Sequence, residues 1–591
     1  MISSICSSNS IVLLLVTIVI VSAETQWTRT TRAQPNDVVD FRLALKQSNL
    51  DVLESVLLDV SNPTSANYGK HWTIDQINEL IAPPHEVSEE ITLWLERSGA
   101  FNVVNKGDFI KASALVADVE SLFRVEMFHY KHDTKDSHHV IRASSLYTIP
   151  STYSDVIEMV TGISELPITK SRNHPSKSSK TTRRVGTVDP GIVVPWSIQN
   201  VYGIPSGYDN NHNTSLCLVE FQDDQSYNKD DLNMFGKQMG IPAINVDRIV
   251  GPFAPQYPDT ESTLDVQYGG AIAQTASIWF WTVDGWMYEF ASDLATTDPA
   301  PYVVSMSWGT PETLLCGPSG IGHCTKGETN QQYIARCNVE YIKCGLRGIT
   351  LLAASGDNGA PGDSNTDCLP KEKPLSTSFP ATSPYVTAVG ATMLQATSSS
   401  GLANHLTDDT PPLCQQVQCA TSTVELVCSY PDAQITSSGG FSYFSPLPSW
   451  QSSAVEAYLN SGVPLPSASI YNSSNRGFPD VSALGHNYGI YAYGGLENVD
   501  GTSASTPVWG GIIALLNSYR LNNNKPTLGF INPLLYSAPA TVFNDITIGN
   551  NSCTEFCCSP YGFTASKGWD PVTGLGTPIF KNLLAYIQTL P

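Results

Sequence analysis

Four short segments constrain the fold of this chain more than any other feature: "LCLVEF" (216–221), "YVVSMSWG" (302–309), "GITLLAASG" (348–356) and "YVTAVGAT" (385–392). Each is brief, β-rich and almost continuously apolar, as parallel strands covered on both faces are. Between the first three lie two stretches with helical patterning, "ESTLDVQYGGAIAQTA" (261–276) and "NQQYIARCNVEYIKCG" (330–345). Strand, helix and strand in succession predict an α/β domain with a mostly parallel sheet covered by helices. Ligands of such sheets gather at the carboxyl ends of the strands. The polar tails "SMSWGT" and "ASGDNGAPGD" are therefore where chemistry is expected.

The chain upstream is of another kind. From about Arg32 to Leu166, amphipathic helical stretches such as "FRLALKQSNLDVLESVLLDVS" (41–61) alternate with apolar runs such as "ASALVADVESLF" (112–123), which predicts a separate α+β domain. It ends in "ITKSRNHPSKSSKTTRRVG" (168–186), too polar to bury and so an exposed linker that proteases can reach. At the N-terminus "IVLLLVTIVIV" (11–21), followed by Val21 and Ala23 in a small-residue pattern, reads as a secretory signal, too short for a stable membrane span. The predicted division is a signal over 1–23, an N-terminal domain with its basic linker over 24–184, and the α/β domain over 185–591. Seven of the 11 histidines, His71, His85, His129, His132, His138, His139 and His174, precede the end of the linker. Histidine gains charge in mild acid, so these are either ordinary solvated histidines or a switch by which a docked N-terminal domain loosens as pH falls.

Composition narrows the function. The 591 residues carry 54 Asp plus Glu against 32 Lys plus Arg, a net charge of −22, and only 15% are charged. A surface so poor in cations excludes nucleic acid, whose affinity comes mostly from Lys and Arg on phosphates. Modest charge density suits work in acid. Of 13 cysteines, Cys6 leaves with the signal, and the remaining even number with no zinc-type pairs reads as a disulfide framework in an oxidising compartment. Sequons at Asn213, Asn472 and Asn550 would be usable there.

In "VDGTSASTPVWGG" (499–511), Pro507 opens a helical pattern, which puts Ser503 at or just before a helix N-terminus. Ser503 or Thr502 is then either a helix cap or a nucleophile beside free N–H groups and the positive end of the helix dipole. A match to G-T-S-x-[AS]-x-P arises by chance about once in a thousand chains of this length, and the motif is shared by subtilisin-like serine peptidases. Their histidine context, H-G-T-H, is absent. Carboxylates supply the alternative base. Glu261 and Asp265 are four apart, on one face of a helix, either as a solvated acidic face or as a pair that shares protons and leaves one acid ionised at low pH. Asp357 stands between glycines after an apolar strand, either as a turn former or as a buried acid that donates to a developing oxyanion.

Together these strings resemble the sedolisin family, the serine-carboxyl peptidases, and within it the tripeptidyl-peptidase branch. "ESTLDVQY", "ASGDNGA" and "GTSASTPV" carry the resemblance, with "FPATSPYVTAVGAT", "SSGGFS", "FPDVSAL" and "LGFINPLLY" adding stretches without assigned chemistry. The resemblance implies a subtilisin-like α/β catalytic domain and an activation propeptide that inhibits its own enzyme. It implies Ser503 as nucleophile, Glu261 as general base and then acid, Asp265 as its support and Asp357 as oxyanion acid. It also implies a calcium ion at "FNDITIG" and "GWDPVTGLGTP", held by the carboxylates of Asp545 and Asp570 and the carbonyls of Ile546, Ser566 and Gly568. Implied too are a bond from Cys368 to one of Cys553, Cys557 and Cys558, polypeptide substrates cut in acid, release of tripeptides from free N-termini, and a lysosomal or secreted location. Acid endoproteolysis is the alternative specificity. An inactive binding homologue would lose a reactive residue, and all four positions are filled. Asp500, where the family usually has Ser, and cysteine-bearing inserts at 314–337 and 402–428 depart from the pattern.

Overall fold

The computed structural model describes residues 27–591 apart from 133–138, 168–189, 209–212, 222–225, 317–328, 363–367, 369–372, 396–408 and 422–423, so the signal and the basic linker lie outside the described residues. The four apolar segments form strands Ser215–Phe221, Val303–Met306, Thr350–Ala354 and Thr387–Leu394. Alternation divides each strand between two cores: Leu216 and Leu218 enter one, Cys217, Val219 and Phe221 the other. Successive Cβ atoms point to opposite faces, so a strand covered on both sides is apolar without a break.

The sheet runs in the order Glu425–Val427, Thr387–Leu394, Thr350–Ala354, Val303–Met306, Ser215–Phe221, Ser277–Val283, Val246–Val250, with Val481–Leu484 also paired to Thr387–Leu394. Only the Glu425–Val427 pairing is antiparallel. One core carries helix Thr260–Ala273, the carboxylate helix, and helix Thr502–Asn522, the serine helix. The other carries helices Met287–Thr296 and Asn330–Leu346. The carboxylate helix stops at Ala273, short of the patterned stretch, because Gln274 takes a left-handed φ of 55° and the chain turns into strand Ser277–Val283.

The N-terminal domain is α+β. Strands Phe101–Asn105, Phe109–Leu115, Val38–Leu45 and Ile157–Thr161 form an antiparallel sheet in that order. The segment 41–61, patterned as one helix, is the end of strand Val38–Leu45 followed by helix Leu50–Ser61; Asn49, at φ 53°, separates them. Likewise 112–123 is a strand end and then helix Val116–Phe123.

This domain docks on the helices opposite the carboxylate and serine helices. Leu53, Leu57, Ile77 and Ile81 pack with Val339, Ile342, Leu346 and Phe530. Beside them Lys343 Nζ donates to Asp108 Oδ2 and to Glu340 Oε2, each at 2.7 Å, and Arg336 pairs with Glu340 at 3.1 Å and with Asp108 at 3.7 Å. Asp108, Glu340, Arg336 and Lys343 are closed to water, and the N-terminal domain supplies Asp108 together with the more exposed Glu158, 3.4 Å from Arg336. Deleting one member of such a network costs about 3–5 kcal/mol. Burial alone would raise the Asp108 pKa, but Lys343 and Arg336 outweigh it and hold it below the usual range. The Asp108 contribution to docking is therefore whole at neutral pH and is lost only as pH falls below the ordinary carboxylate range, about 3.9.

Among the described residues, disulfides join Cys368 to Cys557, Cys414 to Cys419 and Cys553 to Cys558, and Cys316 is disulfide-bonded as well. The even cysteine count does not mean full pairing: Cys217, Cys337, Cys344 and Cys428 are buried thiols, placed as small apolar side chains.

His71 has the opposite sign to Asp108. Its Nε2 lies 2.9 Å from Thr527 O, its Nδ1 is buried without a partner, and an added Cβ at Gly348 or Gly529 would strike its ring. Burial, with the charge of Arg520 adding, pushes its pKa down. Docked His71 thus binds a proton less readily than free His71. Its share of docking is complete above about pH 6.5 and declines as pH falls below that value. His71→Gln, which keeps a donor but does not titrate, is expected to move the midpoint of acid-induced release of the N-terminal domain to lower pH, read by gel across a pH series. An unchanged midpoint would remove His71 from the switch.

Candidate active site

The serine helix begins at Thr502 with Gly501 as its N-cap and no side-chain cap of its own. The cap comes from across the site: Asp357 Oδ1 accepts the Thr502 N–H at 2.8 Å and its hydroxyl at 2.9 Å. A carboxyl there satisfies an orphan donor and meets the positive end of the dipole. Capping is thus done by Asp357, and Ser503 Oγ donates instead to Ser307 O at 3.4 Å.

Pro507 lies inside the helix, not at its first position. Its missing N–H leaves the carbonyl four residues earlier, that of Ser503, without a helical donor. Ser307 Oγ approaches that carbonyl at 3.3 Å and Asp265 Oδ1 at 2.9 Å. The serine-helix proline and the "SMSWGT" tail therefore create one bridge, Asp265 to Ser307 to Ser503.

A Cβ added at Gly511 would stand 2.8 Å from Ala273 N. Eight residues separate Asp265 from Ala273 and eight separate Ser503 from Gly511, so the two helices run parallel and in register. Glu261, one turn before Asp265 on the same face, is then level with the turn that delivers Ser503. Glu261 and Asp265 are 3% and 0% exposed, so the reading of a solvated acidic face does not hold. Asp259 N-caps the carboxylate helix, accepting from Ser262 N and Ser262 Oγ, each at 2.8 Å. Burial, with the neighbouring Glu261 charge adding, raises its pKa.

Asp500 points away from the nucleophile. Its carboxyl binds His486 Nδ1 at 2.8 Å, Gln434 N at 2.8 Å and Asn487 N at 2.7 Å. Burial opposes its ionisation, and His486 with these N–H donors outweighs burial and lowers its pKa. It ties the nucleophile turn to the segment whose Thr436 N donates to Asp357 O at 2.8 Å.

The family models for the Pro-kumamolisin activation domain and the Subtilase family match residues 25–166 and 272–531. The chain is 51% identical over 578 residues to Physarolisin of Physarum polycephalum, covering 96% of this chain and 97% of that one. The chain belongs to the sedolisin family. Tripeptidyl-peptidase 1 of Mus musculus is 32% identical over 575 residues, covering 94% and 93% of the two chains. A solved structure of a Pseudomonas sedolisin, a serine-carboxyl proteinase bound to pseudo-iodotyrostatin, matches with a TM-score of 0.50 at 25% identity, over 67% of this chain and 98% of that one. This sedolisin is a serine-type peptidase with an N-terminal activation domain on a subtilisin-like fold. Among the described residues no helix is long and apolar enough to cross a membrane.

Of the five residues expected at a calcium site, the Asp545 and Asp570 carboxylates both meet the backbone of segment 566–568. Gly568 N donates to Asp545 Oδ2 at 2.9 Å and Ser566 N to Asp570 Oδ2 at 2.9 Å. Asp570 is fully buried, and burial pushes its pKa up to about 7. Two acids at one loop, one of them closed to water, fit an oxygen-loving cation that would hold both ionised. The expected bond from Cys368 goes to Cys557 and joins the Asp357 region to the segment ahead of this loop.

Motif reading missed three neighbours of this sedolisin's site: Ser307, Asp259 and Glu220, whose Oε2 accepts from Trp308 Nε1 at 3.0 Å. Ser307 and Glu220 lie at the carboxyl ends of adjacent strands, which is the signal that could have found them. Ser307→Ala removes the bridging hydroxyl and is expected to lower kcat about tenfold with KM little changed, the value of one lost hydrogen bond at the reacting group. A change in KM alone would contradict this.

Proposed function

We propose that this sedolisin is an acid-active serine-carboxyl peptidase in which Ser503 attacks the peptide carbonyl. Glu261 takes the serine proton and returns it to the leaving amine. Asp265 supports Glu261, and Asp357 donates to the oxyanion. The observation that carries this reading is the Asp265–Ser307–Ser503 bridge, which joins the two helices at the level of the nucleophile and brings Glu261 one turn further along. A carboxylate accepts protons at about pH 4 to 5, where an unperturbed imidazole is nearly all protonated. The N-terminal domain acts as an intramolecular inhibitor until acid loosens it, which points to an acidic endolysosomal compartment or to secretion.

Release of tripeptides from free N-termini follows from the similarity to Tripeptidyl-peptidase 1. Acid endoproteolysis is the second reading, because the higher identity, 51% against 32%, is to Physarolisin, whose name carries no tripeptidyl specificity. Acid-treated protein is expected to lose all peptidase activity on Ser503→Ala; full retention would end the reading. Mass spectrometry of products from one peptide and its N-acetylated twin separates the specificities. Cleavage lost on acetylation supports tripeptide release, and internal cuts in both twins support the endopeptidase.

A calcium ion held by Asp545, Asp570 and the carbonyls of Ile546, Ser566 and Gly568 would supply charge that compensates the buried acids and pins the loop. Chelation is expected to lower the thermal midpoint by about 2–4 °C, restored by calcium and not by magnesium. An Asp545→Ala variant should no longer respond to chelator or to calcium. A midpoint indifferent to chelator in the parent protein would contradict the site.

A further inference from the structure

We infer that Tyr493 determines specificity: its ring walls a substrate subsite beside Glu261 and takes a large apolar or aromatic side chain of the peptide. The inference rests on the reading of Glu261 as the base.

Strands Tyr488–Ala492 and Gly495–Val499 form a hairpin whose second strand runs directly into Asp500 and the nucleophile turn. Its first strand is bolted to the carboxylate helix. Gln267 Nε2 donates to Tyr491 O at 2.7 Å and Gln267 Oε1 accepts Tyr491 N at 3.0 Å, while Tyr268 OH donates to Gly489 O at 2.8 Å. At the tip, Gly494 N donates to Asp231 Oδ1 at 2.9 Å. One rigid hairpin therefore touches both catalytic helices, and its tip is fixed.

Tyr493 occupies that tip at φ 54°, a left-handed conformation that glycine adopts freely and that costs another residue about 1 kcal/mol or more. It is 64% exposed, so burial of its ring does not offset the strain. Its hydroxyl nevertheless lies 3.3 Å from Thr260 Oγ1, and Thr260 immediately precedes Glu261. The side chain thus reaches from the hairpin tip to the start of the carboxylate helix, with its polar end held and its ring open to solvent. For folding alone glycine would be the better residue here. A pinned, exposed aromatic next to the base is suited instead to packing against an apolar side chain of a bound peptide, because it presents a large rigid surface at low entropic cost.

The test compares parent, Tyr493→Gly and Tyr493→Phe enzymes after acid activation, with Ser503→Ala as the blank. The substrates carry Phe, Leu or Ala at single positions on either side of the cut bond. Tyr493→Gly is expected to lower kcat/KM about tenfold for the Phe and Leu peptides at one position and to leave the matched Ala peptide within about twofold, the scale of one apolar contact. Its thermal midpoint should be unchanged or higher, since glycine relieves the backbone. Tyr493→Phe should keep the preference. A Phe-to-Ala ratio that is the same in parent and Tyr493→Gly at every position would overturn the inference, as would a uniform loss on all peptides with a lowered midpoint. Failure of the catalytic reading shows separately, as activity that survives in the Ser503→Ala blank or in a Glu261→Gln enzyme.

Discussion

The close approach of two parallel helices over one face of a parallel sheet is the contact on which the site depends. It is possible because the serine helix presents no side chain where it meets the carboxylate helix or crosses the sheet: a Cβ at Gly511 would press on Ile272 and Ala273, and one at Gly510 on Leu216. With that spacing set, the Asp265 carboxyl and the Ser503 backbone come within reach of a single hydroxyl, that of Ser307. The proline that interrupts the serine helix then has a purpose, since it frees the carbonyl that the hydroxyl reaches. The remaining polar partners arrange themselves around this contact. Asp357 caps the serine helix from one side, Asp259 caps the carboxylate helix, and Asp500 anchors the turn between hairpin and nucleophile.

The activation domain sits mainly on the opposite helical layer, where Asp108 joins a buried network of four charges with Arg336, Glu340 and Lys343, and it also reaches the end of the serine helix, where Arg520 lies over Tyr68. When that domain leaves, three of the four charges stay behind on helix Asn330–Leu346 with one excess positive charge, now accessible to water. The charged contact resists mild acid and the buried imidazole of His71 does not, so acid acts first on His71. The two groups have opposite linkage signs for one reason: the partners of Asp108 are cations, whereas His71 faces a carbonyl and the distant charge of Arg520.

Much of this was legible in the sequence because the informative features are local. Continuous apolar runs marked the buried strands, and Ser503, Glu261, Asp265 and Asp357 sit in short strings whose spacing already puts each on a helix start or a strand end. What the sequence hid depends on tertiary contact. Segment 41–61 looks helical throughout, yet its first five residues are a strand, because pairing with Phe109–Leu115 overrides local propensity. The role of Ser307 follows from Pro507, two hundred residues away. Cysteine parity suggested complete pairing, whereas burial among apolar neighbours kept four thiols apart. Asp500 stood out only as a departure from the family pattern, and its partners His486, Gln434 and Asn487, which make it the anchor of the turn, are tertiary.

The central claim is that a carboxylate, held by the helix pair, accepts the proton of Ser503. The most direct measurement is the rate at which a fluorophosphonate probe labels Ser503 in the activated enzyme as a function of pH. The account predicts a rate that rises through a single ionisation in the carboxylate range, below about pH 5.5, and that is suppressed at every pH by Glu261→Gln. A rise through the imidazole range near pH 6.5, or labelling indifferent to Glu261→Gln, would contradict it.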